Sequence, residues 1–130
     1  MPARTSYDYA VIRVVPRVER EEFVNAGVVL FSKARDFLGA RVGVDEARLR
    51  ALSPEVDMDM VRRHLEAIPQ ICAGDPEAGP IAKLSARERF HWLVAPQSTV
   101  IQVSPVHAGI CEDAASELSD LFSRLVALKK

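Results

Sequence analysis

The chain has 130 residues, 48% of them apolar, with 17 basic and 18 acidic side chains and a formal net charge of −1. That length supports a single domain with a real core, and the apolar fraction excludes a disordered chain. Near-neutral charge disfavours a protein that binds nucleic acid through its phosphates, and no run reaches the roughly 18 apolar residues of a membrane span.

The opening Met1-Pro2-Ala3-Arg4-Thr5-Ser6 has no apolar core behind a charged region, so no secretory signal is expected. Strand character begins at Tyr7 and runs to Val15, with Tyr7, Tyr9, Val11, Arg13 and Val15 on one face and Asp8, Ala10, Ile12 and Val14 on the other. Both faces are largely apolar, as in an inner strand, and Pro16 ends the run. Glu19 to Val24 fits one or two helical turns. Asn25 and Gly27 are turn formers ahead of a second strand, Val28 to Ser32. After the short polar Lys33-Ala34-Arg35-Asp36, the stretch from Phe37 to Val44 reads as a third strand in an antiparallel meander.

Asp45 fits the N-cap of a short helix through Leu52, and Ser53-Pro54 has the form of a second helix start. Met58, Val61, Leu65, Ile68 and Cys72 make an apolar stripe at helical spacing. Pro69 removes the bond to the Leu65 carbonyl, which predicts an end or kink near Ile68. The stretch from Gly74 to Pro80 is the clearest loop signal. Ser85 and Glu88 form a capping-box pattern for a helix from Ala86 to about Leu93. Pro96-Gln97-Ser98 turns the chain into a fourth strand, Thr99 to Val103, and Pro105, His107 and Gly109 mark an irregular stretch. The last helix is expected from about Glu112 to Leu128, with Leu118, Leu121, Phe122, Leu125 and Leu128 on one stripe and Lys129-Lys130 at its end. The expected fold is a single α+β domain over residues 1–130. It has two layers, about four mainly antiparallel strands with two major helices and short helical turns packed on one face.

Chemistry-bearing groups are sparse. Arg13 places a guanidinium on an otherwise apolar strand face, where it needs acidic or carbonyl partners. With Arg41 and Gln102 on the same face it would form an anion-binding strip; the alternative is stacking on Tyr9 or a pair with Glu21 or Glu22, of which Glu22 is the first choice. His64 and Cys72 lie about 12 Å apart along a helix, too far to share an ion, so no metal and no cofactor are expected. His107 and Cys111 are the least implausible nucleophilic pair, but no elbow motif, oxyanion loop or orienting acid accompanies them. The glycines never form a phosphate-binding pattern. Lys83, Arg87 and Arg89, with Phe90, His91 and Trp92 nearby, resemble a binding patch, but core and core-edge positions for Phe90 and Trp92 with solvated arginines explain the cluster better. Cys72 and Cys111, far apart and outside any paired motif, read as free thiols of a cytoplasmic protein.

Four segments taken together carry a resemblance. They are Tyr7-x-Tyr9-Ala10-Val11-Ile12-Arg13-Val14-Val15-Pro16, Glu22-Phe23-x-Asn25-x-Gly27-Val28-Val29-Leu30, Arg89-Phe90-x-Trp92-Leu93-x-Ala95-Pro96-x-Ser98-Thr99 and Pro105-Val106-His107-x-Gly109. Over about residues 7–126 the chain resembles the bacterial domain-of-unknown-function family 3037. The resemblance implies no established reaction. It marks Arg13, Glu22, Asn25, Arg89, Ser98, Thr99 and His107 as the polar members of the pattern and therefore as candidate ligand-binding residues. Gln97 stands where the family pattern carries a basic residue, which weakens an anion site at that turn. The resemblance also implies a partner protein, with a HipA-like kinase as the candidate. The leading expectation is a non-catalytic accessory module that binds another protein, with no membrane and no nucleic acid among its partners and a homodimer left open. The alternative is an enzyme or small-ligand binder using a polar pocket around Arg13, Arg89, Ser98 and His107.

Overall fold

A computed structural model describes residues 3–96 and 99–127. Expectations resting on Gln97, Ser98 and Leu128 to Lys130 lie outside the described residues. Strand β1 (Thr5–Val14) is central, paired on both sides. On one side it pairs with β2 (Val24–Ser32), which pairs in turn with β3 (Phe37–Val42). On the other side, β4 (Ile101–Val103) pairs with the C-terminal half of β1 and β5 (His107–Cys111) with its N-terminal half. All four pairings are antiparallel, and the order is β3-β2-β1 followed by β4 and β5 end to end.

The α+β class and the antiparallel meander agree with the sequence reading; the layering differs. Helices α1 (Glu46–Leu52), α2 (Met58–Ala73) and α3 (Ala86–Val94) pack with Ala10, Ile12, Val14 and Val29 on one face. Helix α4 (Ala114–Phe122), extended by a π-helical turn at Ser123–Ala127, packs with Tyr7, Val28 and Leu30 on the opposite face. The domain therefore has three layers rather than two. The cause is visible in β1 and β2, whose alternate side chains are apolar in both directions, so a single helical layer would leave Val28 and Leu30 in water.

A β-bulge lets β2 serve both faces. Ile12 lies opposite Gly27 and Arg13 opposite Asn25, so Ala26 is the extra residue. The carbonyl this leaves on Ala26 accepts from Gly43 N–H at 2.9 Å. Gly27 is obligatory there, since a Cβ would lie 2.7 Å from the Arg41 carbonyl oxygen.

Several local expectations are corrected. Asn25 and Gly27, expected to turn the chain ahead of a strand beginning at Val28, lie inside β2 at its bulge, and the helical turn expected over Glu19 to Val24 is confined to Val18–Arg20. Residues 107–111, expected to be irregular, form β5. The apparent breaker Gly109 is a fitting device, because the Tyr7 ring lies across it and a Cβ would come within 2.6 Å of the phenol oxygen. The strand break is at Ser104 and Pro105, where Val11 N–H donates to Ser104 Oγ and Ser104 N–H donates to the Val11 carbonyl, each at 2.8 Å. Helix α2 starts not at Ser53-Pro54 but at Asp57, whose carboxylate accepts from Met60 N–H at 3.1 Å. It also continues through Pro69 to a left-handed Gly74 (φ 71°). Buried Leu65, Ile71 and Cys72 on both sides of the proline hold the two halves against the sheet. Asp45 and the Ser85–Glu88 capping box act as the sequence indicates.

Candidate functional site

Arg13 emerges on the α4 side of β1, in register with Asn25 and Gln102. Its guanidinium carbon lies 4.2 Å from the centroid of the Phe23 ring, and its buried Nε has no hydrogen-bond partner. The expected pair with Glu22 does not form: Glu22 accepts from Arg20 Nε at 2.6 Å on the surface. The short turn Val18–Arg20 and the left-handed Glu21 (φ 57°) direct the chain so that Phe23 rather than Glu22 returns to β1. Arg41 shares the α4 face but lies over Phe122, 4.9 Å from its ring centroid, and donates to Ser119 Oγ at 3.2 Å. Among the described residues Arg13 has no ion pair.

The other candidates are held by separate neighbours. Asn25 Nδ2 donates to the Leu125 carbonyl at 3.1 Å, tying β2 to the C-terminal turn, while its Oδ1 is buried without a partner. Arg89 Nη1 donates to the carbonyls of Ile71 (2.9 Å) and Cys72 (2.7 Å), and Nε to that of Leu84 (3.1 Å). It thereby satisfies the last turn of α2 and complements its dipole. His107 is exposed on β5 with its ring 5.3 Å from that of Tyr9. Thr99 Oγ1 donates to the Ile101 carbonyl at 2.7 Å. Arg13 and Asn25 are neighbours; Arg89, Thr99 and His107 are distributed over α3, the approach to β4, and β5.

The thiols are not activated. Burial pushes Cys72 up to about 12, against the opposing pull of Arg89. Burial and then the Glu117 carboxylate also push Cys111 up. His107 and Cys111 sit at opposite ends of one strand, about 13 Å apart, so they cannot act as a pair. Tyr7 donates to Glu117 at 2.5 Å, and burial with that bond holds its phenol protonated well above the ordinary range. Among the described residues no cluster of three His, Cys, Asp or Glu side chains could hold a metal ion, and no helix is long and apolar enough to cross a membrane.

The most apolar of the hollows among the described residues is a slot of about 380 Å³. One wall is a stripe of α2 bearing Met60, His64, Ile68 and Ile71; Trp92 of α3 closes one end, and residues 99–103 form the other wall. Thr99 and Val100 lead into β4, so the slot lies beside that strand, whose far side carries no further strand among the described residues. Of the helical stripe read from the sequence only Ile68 lines the slot; Met60, His64 and Ile71 lie outside that stripe. That α2 meets the β4 segment as well as β3 depends on strand order, which periodicity does not encode. A second, more polar hollow, lined by Pro16, Arg17, Glu55 and Asp57, adjoins the slot at Met60 and Val100.

No curated protein and no solved structure matches the chain. The sequence pattern of DUF3037, described as a protein of unknown function, matches residues 9–126, nearly the whole chain and both halves of the slot, and the chain belongs to that family.

Proposed function

We propose that this protein is a non-catalytic accessory module that binds another protein through the slot beside β4. The observation that carries this reading is the exposed apolar chemistry there. Trp92 keeps 44% of its surface in water at the rim of a cavity lined mainly by aliphatic side chains. Apolar surface of this kind marks an interaction site. Catalysis has less support: both thiols are held protonated, and Arg89 is consumed in capping α2. A polar ligand pocket built from Arg13, Arg89, Ser98 and His107 would need Arg89 and His107 to leave their present partners. The partner implied by family resemblance, a HipA-like kinase, is the first to test.

The experiment is affinity purification from the native host with the wild type and Trp92→Asp, an exposed position whose change leaves the core intact. A stoichiometric co-purifying protein that Trp92→Asp loses supports the reading. Absence of any such protein, or equal retention by the variant, overturns it.

A further inference from the structure

Resting on that reading, we infer that the slot takes an extended segment of the partner, added to β4 as a further strand, with apolar residues toward α2 and an acidic residue on the Arg13 face.

The backbone selects the occupant. Val15 N–H donates to the Val100 carbonyl and Ser104 N–H to that of Val11, so the hydrogen-bonded positions of this antiparallel pair are residues 100, 102 and 104. Ile101 and Val103 therefore turn their N–H and C=O groups outward. Among the described residues no strand lies on that side. A bound helix has no free backbone groups to offer this edge, and an apolar small molecule would leave it bare. An extended chain satisfies it at one strand spacing. The Thr99 hydroxyl already occupies the Ile101 carbonyl, a guard that blunts the edge until a partner displaces it.

Side-chain alternation sets the pattern of the segment. Ile101 and Val103 face the α2 side and Gln102 the Arg13 side. Residues of the added strand flanking the one opposite Gln102 thus cover Met60, Ile68 and Trp92. The residue opposite Gln102 lies on the face of Arg13, two strands away and about 10 Å between backbones, within the joint reach of an arginine and a glutamate. Arg13 has no ion pair there among the described residues, and the Gln102 amide is turned to the Thr99 carbonyl. Arg13 rests on Phe23, on the β2 side of β1, and swings toward β4 to meet a carboxylate there, the group that complements its charge.

Trp92 is the chain's one tryptophan, so its emission reports the slot directly. The probe is a capped seven-residue peptide alternating valine with threonine and carrying glutamate at its centre. Saturable blue-shifted emission is expected. Affinity should fall at least tenfold when lysine replaces the glutamate, and binding should vanish when alternate amides are N-methylated, which keeps the side chains but removes strand pairing. Val103→Pro, which deletes an outward N–H and leaves the Gln102–Arg13 ladder intact, should abolish the shift while the far-ultraviolet spectrum is retained. Equal binding of the N-methylated peptide, no shift with the parent peptide, or a shift only with an apolar alcohol such as octanol each overturns the inference. In the native-host purification, a partner lost by Trp92→Asp yet retained by Val103→Pro leaves the module reading standing and removes strand addition alone.

Discussion

The two faces of the sheet are closed in different ways. On the α4 face, polar bonds stitch the helix down at intervals: Tyr7 to Glu117, Arg41 to Ser119 and Asn25 to Leu125. On the α2–α3 face the attachment is apolar, from Val61 and Leu65 to Phe90 stacked on Phe31 at 5.4 Å. A layer held by directional bonds has its edges fixed in place. A layer held by non-directional burial leaves room between its elements, and the slot lies there, between α2, Trp92 of α3 and the β4 segment.

The largest expected effects test whether both faces belong to one cooperative unit. Phe90→Ala should cost about 3–5 kcal/mol and Leu121→Ala about 2–5 kcal/mol, since both side chains are buried. Denaturant melts followed by circular dichroism, with a single transition in each variant, check this; separate transitions would split the faces. Phe122, only half-buried beside Gly43, should cost less than either.

The arginines sharpen the comparison. Arg89→Met strands two carbonyls at the end of α2 and should cost about 2–3 kcal/mol. Arg13→Met removes a buried Nε that no acceptor satisfies and gives up one stacking contact, so less than about 1 kcal/mol is expected. Equal losses in a matched pair of melts would mean that Arg13 has a partner of comparable strength.

Alkaline pH supplies a further test. The folded Cys72 thiol holds its proton up to about 12, whereas the ordinary value is 9.0. Above 9 the unfolded chain releases that proton first, so the folded state binds more protons and stability falls with rising pH. The loss begins near pH 9 and is complete near pH 12. Cys72→Ala should flatten that part of the profile, and stability measured at pH 8 and pH 10 in both proteins checks it. The smallest effect is expected from Glu22→Gln, which touches only a solvated pair with Arg20, and its melt should overlay that of the wild type.

What the sequence made legible was local. The caps at Asp45 and Ser85, the first and third strands, the second strand from Val28 onward and the α2 stripe follow from spacing and side-chain chemistry confined to a few residues. The misreadings share a cause: Gly109, Pro69 and the second helical layer each depend on a distant neighbour. A glycine reads as a breaker until Tyr7 is laid across it, and a proline reads as a stop until the buried residues beyond it hold the helix on. The polar members of the family pattern were visible as residue types. Their duties were not, because Arg89 reaches carbonyls 17 and 18 positions away and Arg13 meets an aromatic ring instead of an acid.

The bond between Val11 and Ser104 joins residues 93 apart in sequence. The meander of β1, β2 and β3 closes through short connections and can assemble early, whereas β4 must wait until nearly the whole chain has been brought round. The edge formed by β4 and β5, whose Cys111 pairs with Thr5, is thus the last part of the sheet to be made. By the same ordering it is the first to be released, and the amide protons of residues 101–103 should exchange with solvent well before those of Val28 to Leu30.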